Sequence, residues 1–111
     1  MPQYKMVVLS NPVTGREQEC NDWYENVHLR DMLTFPGFVS AQRFHLARNI
    51  ADPNPYQYLA IYTIDTDDLD AVVETLTKAA ESGELFVSEA LDAVNAYAVI
   101  YDAGGSVVQA Q

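Results

Sequence analysis

The chain has 111 residues, 49% hydrophobic and 11% aromatic, which is apolar material for one core and therefore for a single domain over 1–111. Against 6 Lys and Arg stand 16 Asp and Glu, a formal net charge of -10, so the summed field repels phosphate backbones and anionic bilayers and excludes nucleic acid as an expected partner. The single Cys20 allows no intrachain disulfide and too little sulfur for a cysteine-rich zinc site, which suits a reducing cytoplasm.

In chain order, Tyr4–Leu9 is a β-rich run stopped by Asn11-Pro12, with Gly15 closing the same loop. Neither this N-terminal run nor any later one has the apolar length of a signal peptide or of a membrane span, so no membrane partner is expected. From Glu17 the pattern is helical, with early carboxylates that suit the positive end of the helix dipole and an end near Leu33, ahead of Pro36-Gly37. Phe38–Leu46 reads as a second strand, and Asn49 to Pro55 as a loop. Tyr56–Ile64 is a third strand, and Asp65-Thr66-Asp67-Asp68 caps the next helix rather than binding calcium, because a central glycine and a closing glutamate are missing. In that helix Leu69, Val72, Val73, Leu76 and Ala80 form the buried face, and Gly83 is the stop. Glu84 to Ala93 reads as a short helix and Val94 to Tyr101 as the last strand, with a mobile tail from about Gly104 to Gln111.

This order, β-α-β-β-α-β, is the ferredoxin-like or split β-α-β arrangement, an α+β class with two helices on one face of an antiparallel four-stranded sheet. Nothing in so short a chain covers the other face, although strands one, three and four bring apolar and tyrosine side chains to both. A homodimer with the two sheets facing each other is the expected solution.

Stepping about 100° per residue along the first helix places Cys20, Trp23, Tyr24 and Val27 on the buried face, with Asp31 in its middle and His28 on its shoulder. A tyrosine, a histidine and a carboxylate converge there. Asp31 on one ring nitrogen would fix the tautomer of His28 and raise its basicity, leaving the other nitrogen for proton transfer. A purely structural pair that ties off the helix is the competing interpretation, and Asp31 could equally hold Arg43 on strand two as a strut. Alternation puts Val39, Ala41, Arg43 and His45 on one face of that strand and Phe38, Ser40, Gln42, Phe44 and Leu46 on the other, without saying which is inward. Facing the cavity, Arg43 would supply positive charge to an enolate, carboxylate or phenolate. His45 is an edge residue without a role. Tyr58 and Tyr62 on strand three, with Tyr97 and Tyr101 on strand four, are interface residues first; Tyr62, Tyr97 and Trp23 are the pocket candidates. Phosphate loops, H-E-x-x-H, G-x-S-x-G and paired cysteines are all missing, so nucleotide, zinc-protease and α/β-hydrolase functions are excluded and no metal site is expected. Cys20, with no flanking Lys or Arg, is a core residue.

The Asn11-Pro12 to Gly15 loop, the Trp23-Tyr24 to His28 helix, Asp31 and the Pro36-Gly37-Phe38 turn leading to Arg43 together resemble the EthD-like branch of the dimeric α/β-barrel superfamily. The resemblance covers about residues 4 to 46, with the element order agreeing to about Tyr101. It implies a ferredoxin-like subunit, a barrel formed by two sheets, and His28 as the recurrent site residue. Members of the wider superfamily include cofactor-independent oxygenases, polyketide cyclases, dehydratases, decarboxylases, isomerases and haem-degrading enzymes. Nothing marks His28 as an iron ligand rather than a proton carrier. The expected activity is cofactor-free acid–base chemistry, of lyase, dehydratase or isomerase type and less so monooxygenase, on a small cyclic or aromatic hydroxy or carbonyl compound. In it His28 is base or acid, Asp31 its orienter, Tyr24 a hydrogen-bonding hydroxyl and Arg43 the charge stabiliser. The alternative is a non-catalytic small-molecule-binding or accessory protein of a degradation pathway.

Overall fold

Alternating side chains along Gln3–Ser10 make this segment β1, an inner strand of the sheet in the computed structural model, which describes residues 2–111. β1 pairs antiparallel with β3 (Tyr58–Asp65) on one side and with β4 (Tyr97–Asp102) on the other, and β3 carries β2 (Phe38–His45) on its outer edge. The sheet order is therefore β2-β3-β1-β4, with every pairing antiparallel. Between β1 and β2 run α1 (Glu17–Trp23), a π-helical turn over Tyr24–His28 and α2 (Leu29–Met32); α3 (Leu69–Ser82) joins β3 toward β4. The ferredoxin-like order expected from the sequence is the one observed.

Residues opposite each other across paired strands share a face. Tyr4, Met6 and Val8 of β1 stand beside Ile64, Tyr62 and Ala60 of β3, and this set meets Trp23, Tyr24, Leu29, Met32 and Val72 from the helices in one core. Tyr62 and Ile64 are completely enclosed there. Burying a side chain of Ile64's size stabilises by about 1.5–3 kcal/mol, which is what holds the helices on this face. The other face carries Val7, Leu9, Leu59, Ile61 and Val99, with Phe44, Tyr97 and Tyr101 exposed at its borders, and no helix lies over it.

The two pairs of tyrosines therefore separate. Tyr58 and Tyr62 lie on the helix side of β3, whereas Tyr97 and Tyr101 lie on the open side of β4, so only the second pair stands where a partner could cover it. Strand two differs from simple alternation as well. Between Phe38 and Ser40 the register slips by a bulge, with Phe38 opposite Ile64 and Ser40 opposite Thr63. One extra residue flips the parity of everything before it. Phe38 thus joins Ala41 and Arg43 on the helix side at 7% exposure, and Val39 is turned out to 54%.

α3 starts on Asp68, whose carboxylate accepts the Ala71 N–H at 3.1 Å, and ends on Gly83 in the left-handed conformation, as its sequence predicts. Its inward line is Leu69, Val72, Leu76 and Ala79, narrower than the apolar stripe of the sequence, and Val73 and Ala80 fall on the exposed side. Residues 84–93 form no helix. Their backbone pairs with the loop after β1 instead, Val13 N–H to Ala90 O at 2.7 Å and Asp92 N–H to Asn11 O at 3.0 Å, around a bridge between Pro12 and Leu91. β3 begins at Tyr58 and β4 at Tyr97, each later than the sequence pattern, and the residues ahead of them bond elsewhere: Asn11 Oδ1 accepts from Gln57 N–H and Tyr56 Oη donates to Asn95 O. Residues 103–111 run exposed without helix or strand.

Candidate functional site

The first helix opens without a side-chain cap on Arg16; the Glu17 carboxylate instead accepts the N–H of Gly15 at 2.7 and 3.0 Å. Regular α-helical phase lasts only as far as Trp23. The following turn, Tyr24–His28, is π-helical, and a π turn takes one residue more than an α turn, so the buried line is delayed by about one position. It runs Cys20, Trp23, Tyr24, His28, Leu29, Met32. His28 is consequently buried at 8% exposure, and Val27, expected inside, is 40% exposed. Asp31 leaves the middle of the buried face for the same reason and is only partly covered.

Burial brings three rings together. The His28 imidazole stacks on Trp23 with centroids 4.5 Å apart and meets Tyr24 edge-on at 5.0 Å, while Trp23 and Tyr24 are themselves 5.2 Å apart. From β2, Arg43 reaches into the same cluster, because its register opposite Ala60 aims it at the helices. Its guanidinium lies over the Tyr24 ring at 4.3 Å and the Tyr58 ring at 3.8 Å, close enough for cation–π attraction. Nη1 of Arg43 donates to Asn21 Oδ1 at 2.7 Å, and Asn21 Nδ2 donates to the Tyr58 hydroxyl at 3.0 Å.

Five buried polar atoms in this cluster have no protein partner: Trp23 Nε1, His28 Nδ1, Arg43 Nε and Nη2, and Tyr62 Oη. An unsatisfied buried polar group costs about 1–3 kcal/mol, so a concentration of them in one place marks a site rather than a plain core. Burial dominates the titration of the cluster. It lowers His28 to about 4, with the nearby Arg43 charge adding to that and Asp31 opposing it. It raises Tyr62, with the Tyr24 phenol contributing, and raises Tyr24 against the opposing pull of Arg43. At neutral pH the site thus holds a neutral imidazole, two neutral phenols and one cation. Cys20, beside Arg43, is pushed up by burial despite the guanidinium and stays a thiol, as its place in the core predicts.

Trp23, Tyr24, His28, Arg43 and Tyr62 are therefore brought together. Asp31 and Tyr97 are not. Asp31 makes no hydrogen bond to His28 and no ion pair with Arg43; its side chain lines a separate groove with Thr34, Phe35, Thr75 and Glu84 and acts on His28 only through its charge. Tyr97 stands on the opposite face of the sheet, at the open side of β4, and cannot share a pocket with Tyr62. His45 is an exposed edge residue against Tyr58. Two residues of the site escaped the sequence: Asn21, which holds Arg43, and Phe86, 59% exposed, whose ring meets the edge of Trp23 at 6.4 Å; Tyr58, expected first at an interface, instead holds Arg43 with Asn21. The signal for Asn21 was its place one turn before Tyr24 and Glu25 on the helix that an inward arginine must face; Phe86 gave none, because its segment was read as helix.

Among the described residues no group of three or more His, Cys, Asp or Glu is placed to hold a metal ion, and no helix is long and apolar enough to cross a membrane. No family model and no curated protein matches the chain. Solved structures do. An EthD family protein of Bacillus halodurans C-125 is similar at 12% identity and TM-score 0.61, over 91% of this chain and 98% of that one. The haem degrader MhuD of Mycobacterium tuberculosis, with two haems bound in its active site, is similar at 13% identity and TM-score 0.62, over 95% and 99%. SnoaB of Streptomyces nogalater, a cofactor-independent oxygenase solved as a mutant, is similar at 13% identity and TM-score 0.54, over 98% and 100%. Further matches are dimeric ferredoxin-like proteins. The chain has the ferredoxin-like α+β fold of these proteins, the EthD family protein among them, as its sequence resemblance implies.

Proposed function

We propose that this protein is a cofactor-independent enzyme doing acid–base chemistry, of lyase, dehydratase or isomerase type, on a small cyclic or aromatic hydroxy or carbonyl compound held among Trp23, Tyr24, His28, Arg43 and Tyr62. The observation that carries it is a neutral, buried imidazole in one cluster with a cation whose Nε and Nη2 donors are unspent. A neutral His28 accepts a proton from the C–H or O–H of the substrate; the charge left on the substrate oxygen is stabilised by Arg43, and the same charge stabilises the imidazolium. Returning that proton to a different atom gives isomerisation, and giving it to a leaving hydroxyl gives dehydration. Tyr24 and Tyr62, both phenols, are hydrogen-bond donors to the oxygen. Asp31 adjusts His28 by its field alone.

The Nδ1 of His28 is sealed from solvent, one face of its ring is covered by Trp23 and Tyr24 abuts it, so the proton transfer is assigned to Nε2. The likeness to a cofactor-independent oxygenase supports a second outcome for the same first step, in which the deprotonated substrate passes to oxygen; uptake at an oxygen electrode distinguishes it.

The test is deuterium exchange. With 2-tetralone in D2O, followed by NMR, wild type is expected to accelerate exchange α to the carbonyl, and His28→Ala to keep its circular dichroism spectrum and lose the acceleration. Retained exchange in His28→Ala removes His28 from the mechanism. Saturable binding without exchange or product assigns the protein to the non-catalytic binding class. A second copy over the open sheet face completes the reading: Val7, Leu9, Leu59, Ile61 and Val99 form a contiguous apolar surface, and proteins of this fold are described as dimeric. The reduced, buried Cys20 suits a cytoplasmic location.

A further inference from the structure

Sandwiched between Tyr24 and Tyr58, the Arg43 guanidinium can hydrogen-bond only in its own plane. One end of that plane is spent, since Nη1 donates to Asn21 Oδ1 at 2.7 Å. The other edge, formed by Nε and Nη2, is buried and meets no acceptor from the protein. Those two N–H bonds are parallel and spaced to match the two oxygens of a carboxylate, the geometry for which arginine rather than lysine is suited. The chain has 16 acidic residues against 6 basic ones, and yet among the described residues the ion pairs are Arg16–Glu19 and Lys78–Glu74; Arg43 has none. A buried cation is costly unless its charge is answered.

We propose that the Nε and Nη2 edge of Arg43 is a bidentate carboxylate site, so that the ligand of this cluster is an aromatic or cyclic monocarboxylate, with Asn21 and Tyr58 as positioning residues that hold the guanidinium in its plane. Trp23 Nε1 and Tyr62 Oη, also buried without partners, are further donors in the same cluster. This deepens the proposed function by naming a group on the substrate; it rests on the same pocket but not on proton transfer at His28.

The probes are benzoate and its neutral isostere benzamide, titrated by calorimetry and by the fluorescence of Trp23, the one tryptophan of the chain. Wild type is expected to bind benzoate at least tenfold more tightly than benzamide. Arg43→Lys, which keeps the charge and loses the fork, is expected to lose tenfold or more for benzoate and to leave benzamide unchanged; Asn21→Ala is expected to lose severalfold for benzoate alone. Equal binding of the two probes by wild type overturns the proposal without any variant, so misfolding of Arg43→Lys cannot shield it. Undiminished benzoate binding by folded Arg43→Lys overturns it as well. The two proposals fail separately: benzoate selectivity without deuterium exchange keeps the carboxylate site and removes the enzyme, and exchange without benzoate selectivity does the reverse.

Discussion

Because His28 titrates at about 4 in the folded chain and at about 6.5 when exposed, acid should destabilise the protein through this one residue by a calculable amount. Below about pH 6.5 the unfolded chain takes up a proton on His28 that the folded chain refuses, so stability falls as pH falls, and the loss levels off once both states are protonated, below about pH 4. Integrating between those two values gives a loss of about 2 kcal/mol by pH 5 and about 3 kcal/mol by pH 4, with none above pH 7. At 8% exposure the imidazole is little screened by solvent. Carboxylates titrate over the lower part of the same window, and His28→Gln removes the histidine while leaving them in place. Urea unfolding followed by Trp23 fluorescence, from pH 7.5 to 4, should therefore show wild type losing about 3 kcal/mol more than His28→Gln over that range. A His28 Hε1 resonance, assigned by its loss in His28→Gln, that titrates near 6.5 in the folded protein, or a difference curve that stays flat with pH, would refute the burial of a neutral His28.

Three further outcomes test the frame around the site. Val27→Lys should change stability by no more than about 0.5 kcal/mol by urea midpoint, since the π turn puts Val27 outside; a loss of several kcal/mol would restore a plain α-helix there. Gly37→Ala should cost about 1–3 kcal/mol, because Gly37 has φ +93° and a Cβ there would come within 3.3 Å of Val72 Cγ2 and 3.4 Å of Asp65 O; an unchanged melting temperature would contradict that turn. Ile61→Glu, central on the open sheet face, should weaken self-association by at least 100-fold in analytical ultracentrifugation while the far-ultraviolet spectrum is kept, and an unaltered dimer would place the interface elsewhere.

Element order was legible because each strand and helix carries a periodicity that its own neighbours enforce: the alternation in β1, the capped stripe of α3, the turn residues at Asn11-Pro12 and Pro36-Gly37. Of the residues singled out from the sequence, Trp23, Tyr24, His28, Arg43 and Tyr62 cluster and Asp31 and Tyr97 do not, and the helical phase was not legible. Two one-residue irregularities lie beside the cluster, the π turn at Tyr24–His28 and the bulge between Phe38 and Ser40, and each advances or delays a periodic pattern that sequence spacing assumes to be unbroken. Both are tertiary solutions. The π turn buries His28 and Leu29 in place of Val27, and the bulge buries Phe38 in place of Val39, so packing against β3 selects them and nothing local announces them. Asp31 follows the same shift: the π turn ends at His28 and puts His28, Leu29 and Met32 on the buried line, which leaves Asp31 at its margin beside Thr34 and Phe35. Tyr97 could not be separated from Tyr62 until the pairing of β4 with β1 fixed which way each tyrosine points.

The charge of the whole molecule bears on how a carboxylate would reach Arg43. With a net charge of -10, the surface repels an approaching anion at long range, and salt weakens that repulsion with a Debye length of about 10 Å at 0.1 M. The attraction to the buried Arg43 edge operates at contact distance inside the protein, where salt screens little. The two dependences have opposite weight, so benzoate should bind as tightly or more tightly as sodium chloride is raised from 20 to about 300 mM, its association rate increasing while its dissociation rate holds. A monoanion is favoured over a dianion for the same reason, since the repulsion doubles with ligand charge while the Arg43 fork can answer only one carboxylate. Binding that weakens steadily with salt would instead be binding to exposed cations such as Arg30 or Arg48, and would take Arg43 out of the recognition of the anion.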